Sequence, residues 1–233
     1  MNDKLKRIIF LLLSLSIIVV ICIIVGFFGQ NEDNDIIDRI VGVIAIVSGI
    51  GSIIMGISSV FSASLDNVRE YYSTGDNETM ISARRMLYNY RYIKLKYNKT
   101  IYDEGFDQWV KETVDSGDPE LNATTRQEIL DATSLISDFF QMWGLLQYKG
   151  FLPIWVFETA SGYSVIKLYE AIDDIVTQKR LNNPFYAEQF QNLCIRINSR
   201  YKKAILECRK SEMKHMRELG VENMPEVLQL HNF

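Results

Sequence analysis

The stretch GVIAIVSGIGSIIMGISS, Gly42–Ser59, decides the reading of this chain. It is uncharged and apolar, yet small residues recur through it. Gly42, Ala45, Gly49, Ser52, Gly56, Ser59 and Ala63 follow one another at alternating steps of three and four. On a helix that spacing lays small side chains along a single stripe. A stripe of this kind permits close backbone approach between membrane helices, with serine hydroxyls free to hydrogen-bond within or across them.

The surrounding apolar run extends from about Ile40 to Phe61, one bilayer in length. A second run stands before it. Ile8–Gly29 has 22 residues and no charge, and as a helix it would reach roughly 33 Å. It exceeds the usual apolar core of a signal peptide and lacks a small-residue cleavage site, so it reads as an anchor. The connector Gln30–Asp35 is short and polar. Together the runs predict an antiparallel transmembrane hairpin. Lys4, Lys6 and Arg7 precede it, and Arg69, Arg84 and Arg85 follow it. Positive flanks favour the cytoplasmic side. The expectation is a multi-pass protein of the bacterial inner membrane with both termini cytoplasmic. The stripe then packs against the first helix or against a second copy of the chain.

Hairpin and juxtamembrane extension would occupy residues 1–72, and an all-helical cytoplasmic domain residues 73–233. The whole chain is thus expected to be all-α. Its formal charge is −4, from 29 acidic and 25 basic side chains, but the charge is segregated. Met80–Ile101 carries Arg84, Arg85, Arg91, Lys94, Lys96 and Lys99 with no acid, interleaved with tyrosines. Such a helix could have a solvated basic face, lie on anionic headgroups or touch nucleic acid. No nucleic-acid motif accompanies it, which makes that partner the weakest of the three. Between Tyr102 and Asp138 the sign reverses, with ten acids against Lys111 and Arg126. Packing of this acidic segment across the basic helix is the simplest account of both. A second basic field runs from Arg196 to Arg217 and includes Arg200, Lys202 and Lys203. If it folded beside the first near a bilayer, the two would form one basic collar.

Helix boundaries are marked along the soluble part. The segment Ser73–Asn77 interrupts, and a helix restarts near Glu78. Val114–Thr125 reads as a loop, and Thr125 with Glu128 fits a capping box. Ile129, Ala132, Ile136, Phe139 or Phe140, Trp143 and Leu146 then define an apolar helical face. Pro153 suits the start of a short helix, and Gly162 reads as a separator. A further break falls at Lys179–Pro184, and the last long helix begins near Phe185.

The chemistry-bearing motifs of common enzymes do not occur: no phosphate loop, dinucleotide fingerprint, H-E-x-x-H or C-x-x-C. Three cysteines and two histidines argue against a disulfide scaffold or a histidine metal site. The acid pairs Asp131/Asp138 and Asp173/Asp174 read as helix-surface residues, and Cys208 seven positions before His215 as unrelated to it. No cofactor is expected.

Across Ser82–Leu193 the order of features is more specific. SARRMLYN (Ser82–Asn89), ILDATSLISDFFQMWGLLQYKGFLP, VIKLYEAIDDIVTQKR and NPFYAEQFQNL, with the Arg84/Arg85 pair and Arg180 before Pro184, resemble the bacterial DUF4760 family of helical proteins. The resemblance implies an all-helical module, commonly behind N-terminal membrane helices, and supplies no reaction, ligand or catalytic residue. The function expected is that of a membrane-anchored interaction or regulatory protein, with a self-associating transmembrane face and a cytoplasmic protein partner. An oligomeric effector that alters permeability, as in stress or phage defence, is the alternative.

Overall fold

The computed structural model describes residues 20, 36–118, 120–222 and 224. Among them the fold is all-α, with six helices and no sheet. The chain divides into two compact units, Met1–Ala63 and Ser64–Phe233.

Helix α1, Ile36–Gly75, runs for 40 residues. Ser48–Gly75 is the one stretch among the described residues long and apolar enough to cross a membrane, its 18-residue apolar window having mean hydropathy 1.5. This corrects the expected multi-pass topology. A hairpin needs two apolar helices of about 20 residues, and the described residues hold one. The first apolar run, Ile8–Gly29, lies outside them except for Val20. The assignment of both termini to the cytoplasmic side rested on the hairpin and falls with it.

In the first unit, the described side chains of α1 are largely uncovered. Ile53, Ile54, Met55, Ile57 and Val60 are all exposed. A Cβ added at Gly42, Gly49 or Gly56 would meet nothing within 4 Å.

In the second unit, α1 ends at Gly75 and α2, Glu78–Tyr97, begins after one short turn. Asn77 caps it, its side-chain oxygen accepting from Met80 N at 2.8 Å. Asn98 closes α2 in the left-handed region, φ 51°, a conformation asparagine tolerates better than most residues. Helix α3, Phe106–Asp115, is short. Helix α4, Arg126–Tyr148, opens on the expected capping box: Thr125 accepts from Glu128 N, and Glu128 accepts from Thr125 N at 2.7 Å. Thr125→Ala should lower stability by about 1 kcal/mol, measurable as an earlier thermal unfolding transition. After a 3-10 turn at Ile154–Phe157 come α5, Ala160–Arg180, and α6, Glu188–Glu218. Helix α6 leaves helical geometry at Tyr201, φ −121° and ψ 29°, so it is two rods joined at a bend.

Helices α2, α4, α6 and α5 pack in a ring, each on the next, with α2 closing onto α5. The core comes from the periodic faces: Ile129, Ile136, Phe140 and Trp143 from α4, Val165, Leu168, Ile172 and Ile175 from α5, and Phe190, Leu193, Cys194 and Ile197 from α6. Phe140 stacks on Phe190 with centroids 4.7 Å apart. The Ser64–Gly75 part of α1 joins this unit. Tyr71 sets its ring edge against Trp143 and Phe157, and Asn67 donates to Phe151 O at 3.1 Å.

Two glycines mark the closest helix approaches. At Gly144 a Cβ would lie 2.4 Å from Gln189 O, and at Gly162 it would lie 2.2 Å from Phe157 O and 2.7 Å from Ile197 Cγ2. Gly162 is therefore no separator. It lies inside α5, where the backbone passes too close to its neighbours for any side chain.

Candidate functional site

Glu170, Asp173 and Asp174 share one face of α5 because they stand three and four positions apart. Opposite them, α2 supplies Arg91 and Lys94 at the same spacing. The second rod of α6 supplies Arg209 and Glu212, and α5 adds Lys167. Four cations thus meet four carboxylates. Arg91 donates to Glu170 Oε2 at 3.0 Å and to Glu212 Oε1 at 3.0 Å. Arg209 donates to Glu170 Oε1 at 2.7 Å. Both guanidinium groups are buried, with side chains 5% and 2% exposed. Lys167 reaches Glu212 at 3.3 Å and sits over the ring of Tyr88, 4.8 Å from its centroid. Tyr163 donates its hydroxyl to Glu212 Oε2 at 2.5 Å.

Lys94 donates to Asp173 and, at 2.8 Å, to Asp174. It also satisfies two backbone carbonyls, Glu170 O at 3.1 Å and Ala171 O at 3.2 Å. Tyr90 donates to Asp174 Oδ2 at 2.5 Å and accepts from Ile101 N at 3.2 Å. Burial and the Asp174 carboxylate push the Tyr90 phenol far above its ordinary range.

Burial alone would raise the Glu212 carboxyl, but Arg91, Lys167 and the Tyr163 hydroxyl outweigh it and hold it below its ordinary value. The same balance holds Arg91 charged: burial lowers it, and Glu212 and Glu170 more than restore it. The charges of the network are paired with one another and tie α2, α5 and α6 together.

Arg91 lines two clefts. One, of about 530 Å³, is bounded by Lys94, Lys96, Lys99, Glu170 and Arg209 among others. The other, of about 630 Å³, is bounded by Tyr88, Tyr163, Lys167, Cys208, Glu212 and His215 among others. Among the described residues no group of three or more His, Cys, Asp or Glu could hold a metal ion. Cys194 and Cys208 are free thiols; burial pushes the Cys194 thiol well up.

A separate pair ties α2 to the loop before α4. Lys96 donates to Asp118 at 2.8 Å, and Tyr97 donates to the same carboxylate. Burial would raise Asp118, but Lys96, Tyr97 and the Glu120 N–H hold it at about 2, against an ordinary 3.8. A depressed carboxyl contributes stability that is complete above its unfolded value and is lost as the pH falls through its folded value. Between about pH 4 and pH 2 the protein should lose this contribution. Lys96→Met should shrink that loss, read as a shallower fall of unfolding midpoint over the same pH interval.

The basic residues singled out in sequence therefore divide. Arg91, Lys94 and Lys96 turn to carboxylates of their own chain. Arg84 is half-buried, donating to Gly75 O and to Asp76 at 3.3 Å. Lys99 lines the first cleft. Arg196 donates to Gln147 Oε1 at 2.5 Å and to Gly144 O at 2.9 Å. Arg85, Arg200, Lys202 and Lys203 are exposed. On α1, Gly42, Gly49, Ser52, Gly56, Ser59 and Ala63 are exposed, Ala45 lies in the same helix, and Ser52 returns its hydroxyl to Ser48 O at 2.9 Å. The acidic segment supplies Asp118 to the basic helix. Its main partners, Glu170, Asp173, Asp174 and Glu212, come from α5 and α6. Asp173 and Asp174, read in sequence as surface residues, are half-buried ligands of Lys94. The available signal was the spacing of the α5 acids at three and four, opposite a helix with cations and no acid after Glu78.

Comparison with protein-family models, with curated proteins and with solved structures gives no match.

Proposed function

We propose that this is a membrane-anchored interaction protein, in which the apolar part of α1 is seated in a bilayer and the helical unit acts by binding a partner. The observation that carries the anchoring is the contrast within one helix. Between Ser48 and Ala63 it is uncharged, and its large apolar side chains Ile53, Ile54, Met55, Ile57 and Val60 are uncovered, whereas from Ser64 onward it joins a closed core. An exposed apolar surface of that extent is costly in water and neutral in lipid. Self-association through the small-residue stripe belongs to the same reading, because the positions of Gly42, Gly49 and Gly56 open onto free space.

A nitroxide label at Met55→Cys, in a full-length chain carrying Cys22→Ser and Cys208→Ser, tests the anchoring after reconstitution into vesicles. The label should be accessible to oxygen and shielded from a water-soluble nickel complex. Equal access to the nickel complex at Met55 and at an exposed site such as Gln127→Cys would refute it.

A further inference from the structure

One end of the helical unit carries surface features that the ion network does not use. Helix α4 finishes at Tyr148, and the chain turns through Phe151 and Trp155 before α5 begins. All three aromatic side chains point outward: Tyr148 is 63% exposed, Phe151 56% and Trp155 47%. Neighbouring structure fixes which end of the unit this is. Asn67 donates to Phe151 O, and Asn67 stands four residues after Ala63 in the same helix. The unit's own chain begins at Ser64, three residues before Asn67, so the aromatic turn lies at the end of the unit where that chain enters it.

Basic residues gather at the same end. Arg196 lies over the Tyr148 ring, 5.6 Å from its centroid, and so does Lys149. Gly162 and Ile197 are in close approach, and Glu158 acts electrostatically on Tyr201. The bend of α6 is thereby set beside the start of α5. Arg200, Lys202 and Lys203 flank that bend and are exposed. Glu158, Glu207 four residues after Lys203, and Asp66 and Glu70 on α1 are exposed acids nearby.

Aromatic rings with one polar edge prefer the headgroup level of a bilayer, and exposed lysine and arginine are drawn to anionic headgroups while their stems cover apolar surface. We infer that the Tyr148–Trp155 turn inserts into the headgroup layer of the membrane that holds α1, with Arg200, Lys202 and Lys203 bound to anionic lipid beside it. The helical unit is then seated on the bilayer surface by a second contact and does not hang from α1 alone. This inference rests on the membrane seating proposed above and names the lipid chemistry of that contact. It also redistributes the basic collar expected from sequence: Arg91, Lys94 and Lys96 of α2 turn to carboxylates of their own chain, and the exposed α6 cations remain for the membrane.

The test places a nitroxide at Phe151→Cys in the same background, with the full-length chain in vesicles of phosphatidylcholine containing one-third phosphatidylglycerol. Labels at Met55 and Gln127 serve as references. Expected is shielding of position 151 from the nickel complex, intermediate between Met55 and Gln127. The triple variant Arg200→Gln, Lys202→Gln, Lys203→Gln should cut that shielding by about half, as should pure phosphatidylcholine vesicles. A shielded Met55 with position 151 as open as Gln127 would overturn this inference, assign the aromatic turn to a protein partner and leave the anchoring intact. Shielding at 151 that is identical in neutral and anionic vesicles would overturn the role given to the cations. An open Met55 would remove the anchoring and this inference together.

Discussion

Arg91→Met is expected to lower the stability of the helical unit by about 3 kcal/mol, a fall of roughly 6–12 °C in Tm. The side chain is 5% exposed and is shared between Glu170 and Glu212. Its removal leaves two carboxylates, each little more than a tenth exposed, with one fewer counter-charge in a setting water barely reaches. Breaking one side of such an arrangement ordinarily costs about 3–5 kcal/mol. The lower figure applies here because Glu170 keeps Arg209 and Glu212 keeps Lys167 and Tyr163. Thermal unfolding followed by circular dichroism measures the change. Arg85→Met, at an exposed position of the same helix, should stay within about 0.5 kcal/mol of the parent. A matched loss at both positions would mean that the network contributes nothing beyond general helix charge. The Arg91 defect should also depend on pH. The Glu212 carboxyl is held below its ordinary 4.5 mainly against burial, by Arg91 and Lys167. Its contribution is complete above about pH 4.5 and fades as the pH falls through the lower folded value, so parent and variant should converge in acid.

Gly162→Ala is expected to be as damaging by a different route. The added methyl would sit 2.2 Å from Phe157 O and 2.7 Å from Ile197 Cγ2. The first neighbour is backbone, held in the 3-10 turn, and the second is a fully buried core residue. Neither can withdraw without moving α5 away from α6. Overpacking costs about 1–3 kcal/mol where side chains can give way. With a rigid carbonyl in the path, a loss of at least about 3 kcal/mol is expected, together with weaker near-ultraviolet dichroism from the loosened aromatic core. Gly49→Ala supplies the contrast: its Cβ meets nothing within 4 Å, and alanine favours the helix by up to about 1 kcal/mol.

Local signals were readable in the sequence, and distant pairings were not. The Thr125–Glu128 cap and the apolar face of α4 depend on residues within a few positions of one another, and each falls where the spacing places it, while the interruption expected at Ser73–Asn77 narrows to Asp76–Asn77. Arg91 read as one member of a basic stripe because nothing within a helical turn of it is acidic. Its partners stand 79 and 121 residues away, and no local periodicity reports them. Gly162 misled for a related reason. A glycine between two helical patterns looks like a stop, while its actual constraint is a carbonyl and a methyl delivered by other elements. The small residues of Gly42–Ala63 lie on a helix, as their spacing predicts.

The departure from helical geometry at Tyr201 makes α6 sensitive to phase. Arg209 and Glu212 meet Glu170 and Arg91 only because eight residues separate Arg209 from that point. One residue inserted between them would rotate both side chains by about 100° around the rod, swinging the guanidinium into solvent. Four residues would bring it nearly back into angular register, displaced by roughly 6 Å. The length of the run YKKAILEC, Tyr201–Cys208, is thereby as tightly constrained as the identity of the charges it delivers.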